Sequence, residues 1–222
     1  MRKSVRLLAL AFLLAPGGVA SAISVTPAPS GSPGPSLFQV ENKAFAQGNW
    51  EAGIWIPVSG TPSNLKAQAD VAWSSGVSKE FVLTLDAALT TLSFSIGGVS
   101  LSSPYSGGAH QALQLAGRTT VNAQTTASSV VLSNLELDGM PISGGLSGSG
   151  GGWVSGWLES PDLLDGYVLT GTATLTWSGA VPRNSNLAFH FYGARVVPEP
   201  GTLALVTVGL VGLAAAIRRR RS

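Results

Sequence analysis

Leu92-Ser93-Phe94-Ser95-Ile96-Gly97-Gly98-Val99-Ser100-Leu101-Ser102 is the stretch that decides the fold. Successive side chains of a strand point to opposite faces, so Leu92, Phe94 and Ile96 turn inward while Ser93 and Ser95 turn to water. Gly97-Gly98 supplies the positive φ angles that a two-residue hairpin needs, and the alternation resumes at Val99. A later run repeats the pattern, with Ala173, Leu175 and Trp177 on one face and Thr172, Thr174 and Thr176 on the other. Runs 69–74, 80–85, 89–96, 99–102, 129–138, 168–177 and 187–196 all read as strands. Asp138-Gly139 predicts a second tight hairpin between 129–137 and 140–142. With no long helical period in the body, 37–197 is predicted to be all-β, an antiparallel β-sandwich or jelly-roll-like domain. The glycine-rich run 144–152 is expected to be a mobile loop, or else an edge segment at the rim.

Working outward, 23–36 is rich in Pro, Ser and Gly and has too little apolar area to offset ordering entropy, so it reads as a linker. Residues 1–22 have the build of a secretory signal peptide. Arg2, Lys3 and Arg6 precede an apolar run over 7–15, and Ala20-Ser21-Ala22 supplies a small-x-small cleavage site. Cleavage is expected after Ala22, with the secretion machinery as partner; the apolar run is too short to span a bilayer. The formal net charge is +2, but both ends are basic. The body keeps six Lys and Arg against ten acids, a net charge of −4. That balance leaves no basic stripe for nucleic acid. The chain has no cysteine, so a disulfide framework, a thiol nucleophile and thiolate metal sites are excluded.

The other flank has three parts: Pro198-Glu199-Pro200, an uncharged run over 201–217, and Arg218, Arg219, Arg220 and Arg221. As a helix the run covers about 25 Å, enough to span a bilayer with snorkelling flanks. Four arginines resist translocation and stay cytoplasmic. The prolines keep the triplet extended, a form that a processing enzyme's cleft can bind. Glu199 also suits a helix N-terminus, and Gly212 and Ala216 form a small-xxx-small pair. Triplet, helix and basic block in this order resemble the PEP-CTERM sorting signal of Gram-negative bacteria. The resemblance covers 197–222. It implies export across the inner membrane, transient membrane anchoring, processing by exosortase, a membrane-embedded cysteine transpeptidase, and a final place at the cell surface or outside the cell. A permanent tail anchor is the alternative. The strand pattern around Leu92–Gly98, 134–139 and Trp177 is also similar to the choice-of-anchor ectodomains found ahead of such tails. That second resemblance implies fold and location, and no chemistry.

Candidate chemistry is sparse. A serine hydrolase elbow, Gly-x-Ser-x-Gly, is missing. The two histidines are His110, in an expected loop, and His190, which alternation places on the solvent side of a strand between Phe189 and Phe191. Glu136 and Asp138 share a strand face and suit either turn chemistry, two Ca²⁺ ligands or an acid/base pair. The acids of 159–166 lack alternating Asp/Asn positions, so neither a metal site nor a cofactor is expected. Among six tryptophans, Trp50 and Trp55 point to opposite faces, whereas Trp153 and Trp157 share one. An exposed indole pair is a platform for sugar rings, which makes Trp153 and Trp157 the candidate contacts to extracellular polysaccharide; core filling is the competing reading. Three classes follow: a non-enzymatic surface or matrix protein, a polysaccharide-binding module, and a hydrolase for which no constellation is present.

Overall fold

The computed structural model describes residues 23–27, 36–45, 49–57 and 62–194. In chain order the strands are β1 (Val25–Pro27), β2 (Ser36–Ala44), β3 (Trp50–Trp55), β4 (Leu65–Asp70), β5 (Ser78–Leu85), β6 (Thr91–Ile96) and β7 (Val99–Pro104). They continue with β8 (Ala112–Thr119), β9 (Thr125–Leu137), β10 (Met140–Pro141), β11 (Leu146–Ser149), β12 (Gly152–Glu159), β13 (Tyr167–Gly179) and β14 (Ala188–Ala194). Two antiparallel sheets result. Sheet A has the order β1-β12-β8-β14-β2-β3-β4, and sheet B the order β10-β9-β13-β5-β6-β7 with β11 paired to β9. Face-to-face packing of the two gives the expected β-sandwich.

Inner-face residues from both sheets fill the space between them. Sheet A contributes Phe38, Val40, Ile54, Leu113, Leu115, Phe189 and Phe191; Phe81, Leu83, Leu92, Phe94, Leu169 and Leu175 come from sheet B. Aromatic rings form a continuous spine through this layer. Phe94 meets Phe191 at 6.2 Å, Phe191 meets Phe81 at 5.0 Å, and Phe81 meets Phe189 at 6.3 Å. Phe189 then meets Trp73 at 6.4 Å. Such offset and edge-on pairs add to the area term of burial.

Both predicted hairpins are present, with Gly97 and Gly98 at φ 56° and 87° and Asp138 and Gly139 at 51° and 77°. β6 pairs with β7 in the register Ile96 to Val99, and β9 with β10 in the register Leu137 to Met140. Two expectations are corrected, and the glycine-rich run takes the second of its two readings, an edge segment. The run read as strand 69–74 leaves the ladder after Asp70, where Val71 instead donates to the Trp50 carbonyl at 2.9 Å. Part of the glycine-rich run is strand β11, because lack of a side chain lets the backbones close up: a Cβ on Gly145 would lie 2.3 Å from the Leu132 carbonyl oxygen. Val25–Pro27, inside the stretch read as linker, is an edge strand on β12, with the Val25 methyls filling the place a Gly156 Cβ would take.

Gly193 marks the tightest approach in the core, since an ideal Cβ there would sit 2.2 Å from a Phe38 ring carbon, and Phe38 is fully buried. Gly193→Ala is expected to cost about 1–3 kcal/mol of unfolding free energy through overpacking, read as a lower urea midpoint at unchanged m-value.

Candidate functional site

The outward face of sheet A holds the polar side chains with the most partners. Strand register sets its rows: His190 stands between Glu41 and Ala116, Tyr192 between Gln39 and Gln114, and Trp157 opposite Gln114. Trp153 lies opposite Arg118, and β3 places Glu51 beside Lys43, Gly53 beside Glu41 and Trp55 beside Gln39. Although these residues face away from the core, Gln39, Glu41, Glu51, Gln114 and His190 are each at most 4% exposed.

Glu41 is the hub. Its carboxylate accepts from Gln39 Nε2 at 2.7 Å and from Trp55 Nε1 at 2.8 Å, and it is paired with Lys43. His190 Nδ1 lies 3.5 Å from it and 3.2 Å from Gln39 Nε2. Lys43 Nζ also reaches Glu51 at 3.6 Å and sits 5.3 Å from the Trp55 ring. Gly53 makes room for this, because a Cβ there would come within 3.2 Å of Trp55 Nε1. On the other flank His190 stacks on Tyr192 at 5.6 Å and 15°, and its second ring neighbour is Trp153 at 5.2 Å. Arg118 covers Trp153 at 5.7 Å. One carboxylate therefore holds Trp55 directly and Trp153 through the His190 ring.

The protonation states follow from these contacts. Burial pushes Glu41 up, but hydrogen bonding and charge from His190 and Lys43 outweigh it and hold the carboxyl at about 2. Glu51 is raised, by burial first, against the opposing pull of Lys43. Two carboxylates pushed apart in this way are the raw material of acid/base chemistry. Here Lys43 contacts both, which makes them members of an ion-pair triad rather than a pair open across a substrate. Away from this face, His110 is fully buried, with Nε2 3.3 Å from the Tyr167 hydroxyl; burial drops its pKa to about 4.

The sequence-predicted residues separate clearly. Trp153 and Trp157 share the outer face of β12 as expected; Trp153 is 37% exposed, so core filling does not apply to it. Trp50 and Trp55 take opposite faces, Trp50 in the core and Trp55 outside. His190 is corrected: instead of facing solvent it is buried in the Glu41 cluster, shielded by Trp153 and Tyr192. Asp138 serves the turn, accepting from Val168 N at 2.8 Å. Among the described residues no group of three or more His, Asp or Glu converges on a metal-sized site. Ala20, Ala22, Pro198, Glu199, Pro200 and Arg218, Arg219, Arg220 and Arg221 lie outside the described residues. Sequence reasoning missed Glu41, Gln39, Gln114 and Tyr192. The alternation of Gln39, Glu41 and Lys43 against Phe38 and Val40 was the available signal, but it reads as an ordinary solvated face.

The molecule is thus a β-sandwich domain whose last strand, ending at Ala194, leads directly into the tail segment. The family model described as the PEP-CTERM protein-sorting motif matches residues 196–221, so the chain carries that sorting signal at its C-terminal end. The signal implies sorting by exosortase to the cell surface. A search of curated proteins finds no match to this chain.

Acid titration has a definite sign here. The depressed His110 binds its proton in the unfolded chain first, so its contribution to stability is complete above about 6.5 and is lost as pH falls toward about 4. The expected loss over that window is on the order of 3 kcal/mol, followed by the Glu41 contribution between its ordinary value and about 2. Urea unfolding of His110→Gln across the same pH series should show the upper part of the slope removed.

Proposed function

We propose that the chain is an exported, non-enzymatic protein of the cell surface or extracellular matrix of a Gram-negative bacterium. The observation that carries this is the sorting motif at 196–221, which follows the β-sandwich directly in the chain. In this reading 1–22 is removed during secretion, 201–217 holds the protein briefly in the inner membrane with Arg218–Arg221 inside, and exosortase processes the Pro198-Glu199-Pro200 segment. The sandwich, similar in pattern to choice-of-anchor ectodomains, is the cargo. Intact mass of the cell-surface form tests this: it should lack both 1–22 and the apolar tail, and a mass that still includes 201–222 makes the tail a permanent anchor. Replacing Pro198, Glu199 and Pro200 by Ala together should leave the tail attached.

A second reading is favoured by one feature of sheet A. Trp153 and Trp157 lie on an outer face, with Trp153 37% exposed and its ring packed on His190 beside Arg118, a flexible side chain that a sugar ring would displace. A pre-set indole plane suits stacking of sugar rings, which makes the sandwich a polysaccharide-binding module of the matrix. Trp153→Ala and Trp157→Ala together should cut retention on purified exopolysaccharide by about ten-fold under conditions where the domain, checked by urea unfolding, is still fully folded; unchanged retention removes this reading.

A further inference from the structure

Strand β1 is a seam between the two sheets, and the partners it has there all lie far away in sequence. Along sheet A it pairs with β12, Val25 opposite Leu158, Thr26 opposite Trp157 and Pro27 opposite Gly156. On its other side Ser24 forms a bridge to Ser143, which leads from β10 into β11 of sheet B. Ser143 N donates to the Ile23 carbonyl at 2.9 Å, and Val25 N donates to the Ser143 carbonyl at 3.2 Å. Ile23 and Val25 pack against the core. The Val25 methyl occupies a hole that exists because residue 156 is glycine, since a Cβ there would fall 2.5 Å from Val25 Cγ1. Without β1 the sandwich would present a slot: an open β12 edge, an open backbone at Ser143 and a socket for one branched side chain.

The strand that fills this slot is loosely tied to its own chain. β1 and β2 follow one another in sequence but stand four strand spacings apart in sheet A, about 19 Å, with β12, β8 and β14 between them. Ser36 lies level with Glu159 through Ala194 and Ala112, whereas Pro27 lies level with Gly156. That offset along the strands lengthens the gap to about 22 Å. Ala28-Pro29-Ser30-Gly31-Ser32-Pro33-Gly34-Pro35 has to bridge it, and a proline-rich segment of this length reaches about 28 Å when extended. Little slack is left for a path past three strands, and a short, tight connection favours exchange of the element it carries. Exchange forfeits no contact, because identical slots accept identical strands. We propose that the slot between β12 and Ser143 takes β1 from a second copy of this chain, so that neighbouring copies are joined by strand exchange.

The chain has no cysteine, so introduced thiols report the partner directly. Ser24 and Ser143 are both exposed and stand opposite each other in the bridge, within disulfide reach. Full chains purified in detergent, one with Ser24→Cys and the other with Ser143→Cys and a mass tag, are refolded together, oxidised and separated without reductant. The expected result is a mixed dimer in about ten-fold excess over the dimers of either variant with itself. Val25→Asp in the Ser24→Cys chain should abolish that excess, and doubling the 28–35 segment should lower it by relaxing the connection within one chain. Urea unfolding checks that each variant is folded before oxidation. An excess that survives both changes overturns the proposal, and so does a mixed dimer no more abundant than the symmetric ones. The chain carrying both cysteine substitutions then says why: a disulfide closed within one molecule keeps β1 at home, and no disulfide at all removes the seam pairing itself.

Discussion

Burial of β14 on both faces is the constraint on which the rest of the structure depends. Every residue from Ala188 to Ala194 is buried, with Phe189 and Phe191 in the aromatic spine and His190 and Tyr192 in the outer polar face. A strand so placed must have neighbours on both sides, and β8 and β2 supply them along its whole length. Its inner residues need sheet B to close over them, while its outer residues need partners because buried polar groups without hydrogen bonds cost more than such bonds gain. Glu41 and Gln39 supply them for His190 Nδ1, while His190 Nε2 is buried without a hydrogen bond among the flanking rings, so the core and the outer cluster are two sides of one packing requirement.

That double burial also decides how much of the molecule was legible in the sequence. Sheet B was readable because its outer face is wet: Ser93, Ser95, Thr172 and Thr174 alternate with buried Leu92, Phe94, Ala173 and Leu175, and Gly97-Gly98 punctuates the hairpin. Sheet A was harder. In β8, Ala112 to Gly117 is buried at every position, so the period-two signal that marks a half-exposed strand is erased. β2 does alternate, but Gln39, Glu41 and Lys43 resemble solvent-facing residues until a partner some 150 positions along the chain, His190, is brought beside them. Spacing along a chain carries no trace of such a pairing. The shared face of Trp153 and Trp157 was legible for the opposite reason, since it depends on local geometry alone.

The glycines divide the same way. Gly97, Gly98 and Gly139 announce turns, where a positive φ is required. Gly145 and Gly193 instead sit where another backbone or a ring approaches too closely for a Cβ. The second use is invisible without the neighbours, which is why the run 144–152 suggests looseness while β11 within it is a paired strand.

The position of β14 bears on how the domain carries load. Its C-terminal end at Ala194 is the point through which the β domain joins the sorting tail, and this strand lies in the interior of sheet A, three strands from either edge. Tension applied along the tail enters a strand laced to neighbours on both sides, so it is resisted in shear by two ladders at once. Tension entering at β1, a three-residue margin strand laced to β12 and held on its other side only by a single bridge to Ser143, would instead peel it off a few bonds at a time. The sandwich is moored amidships.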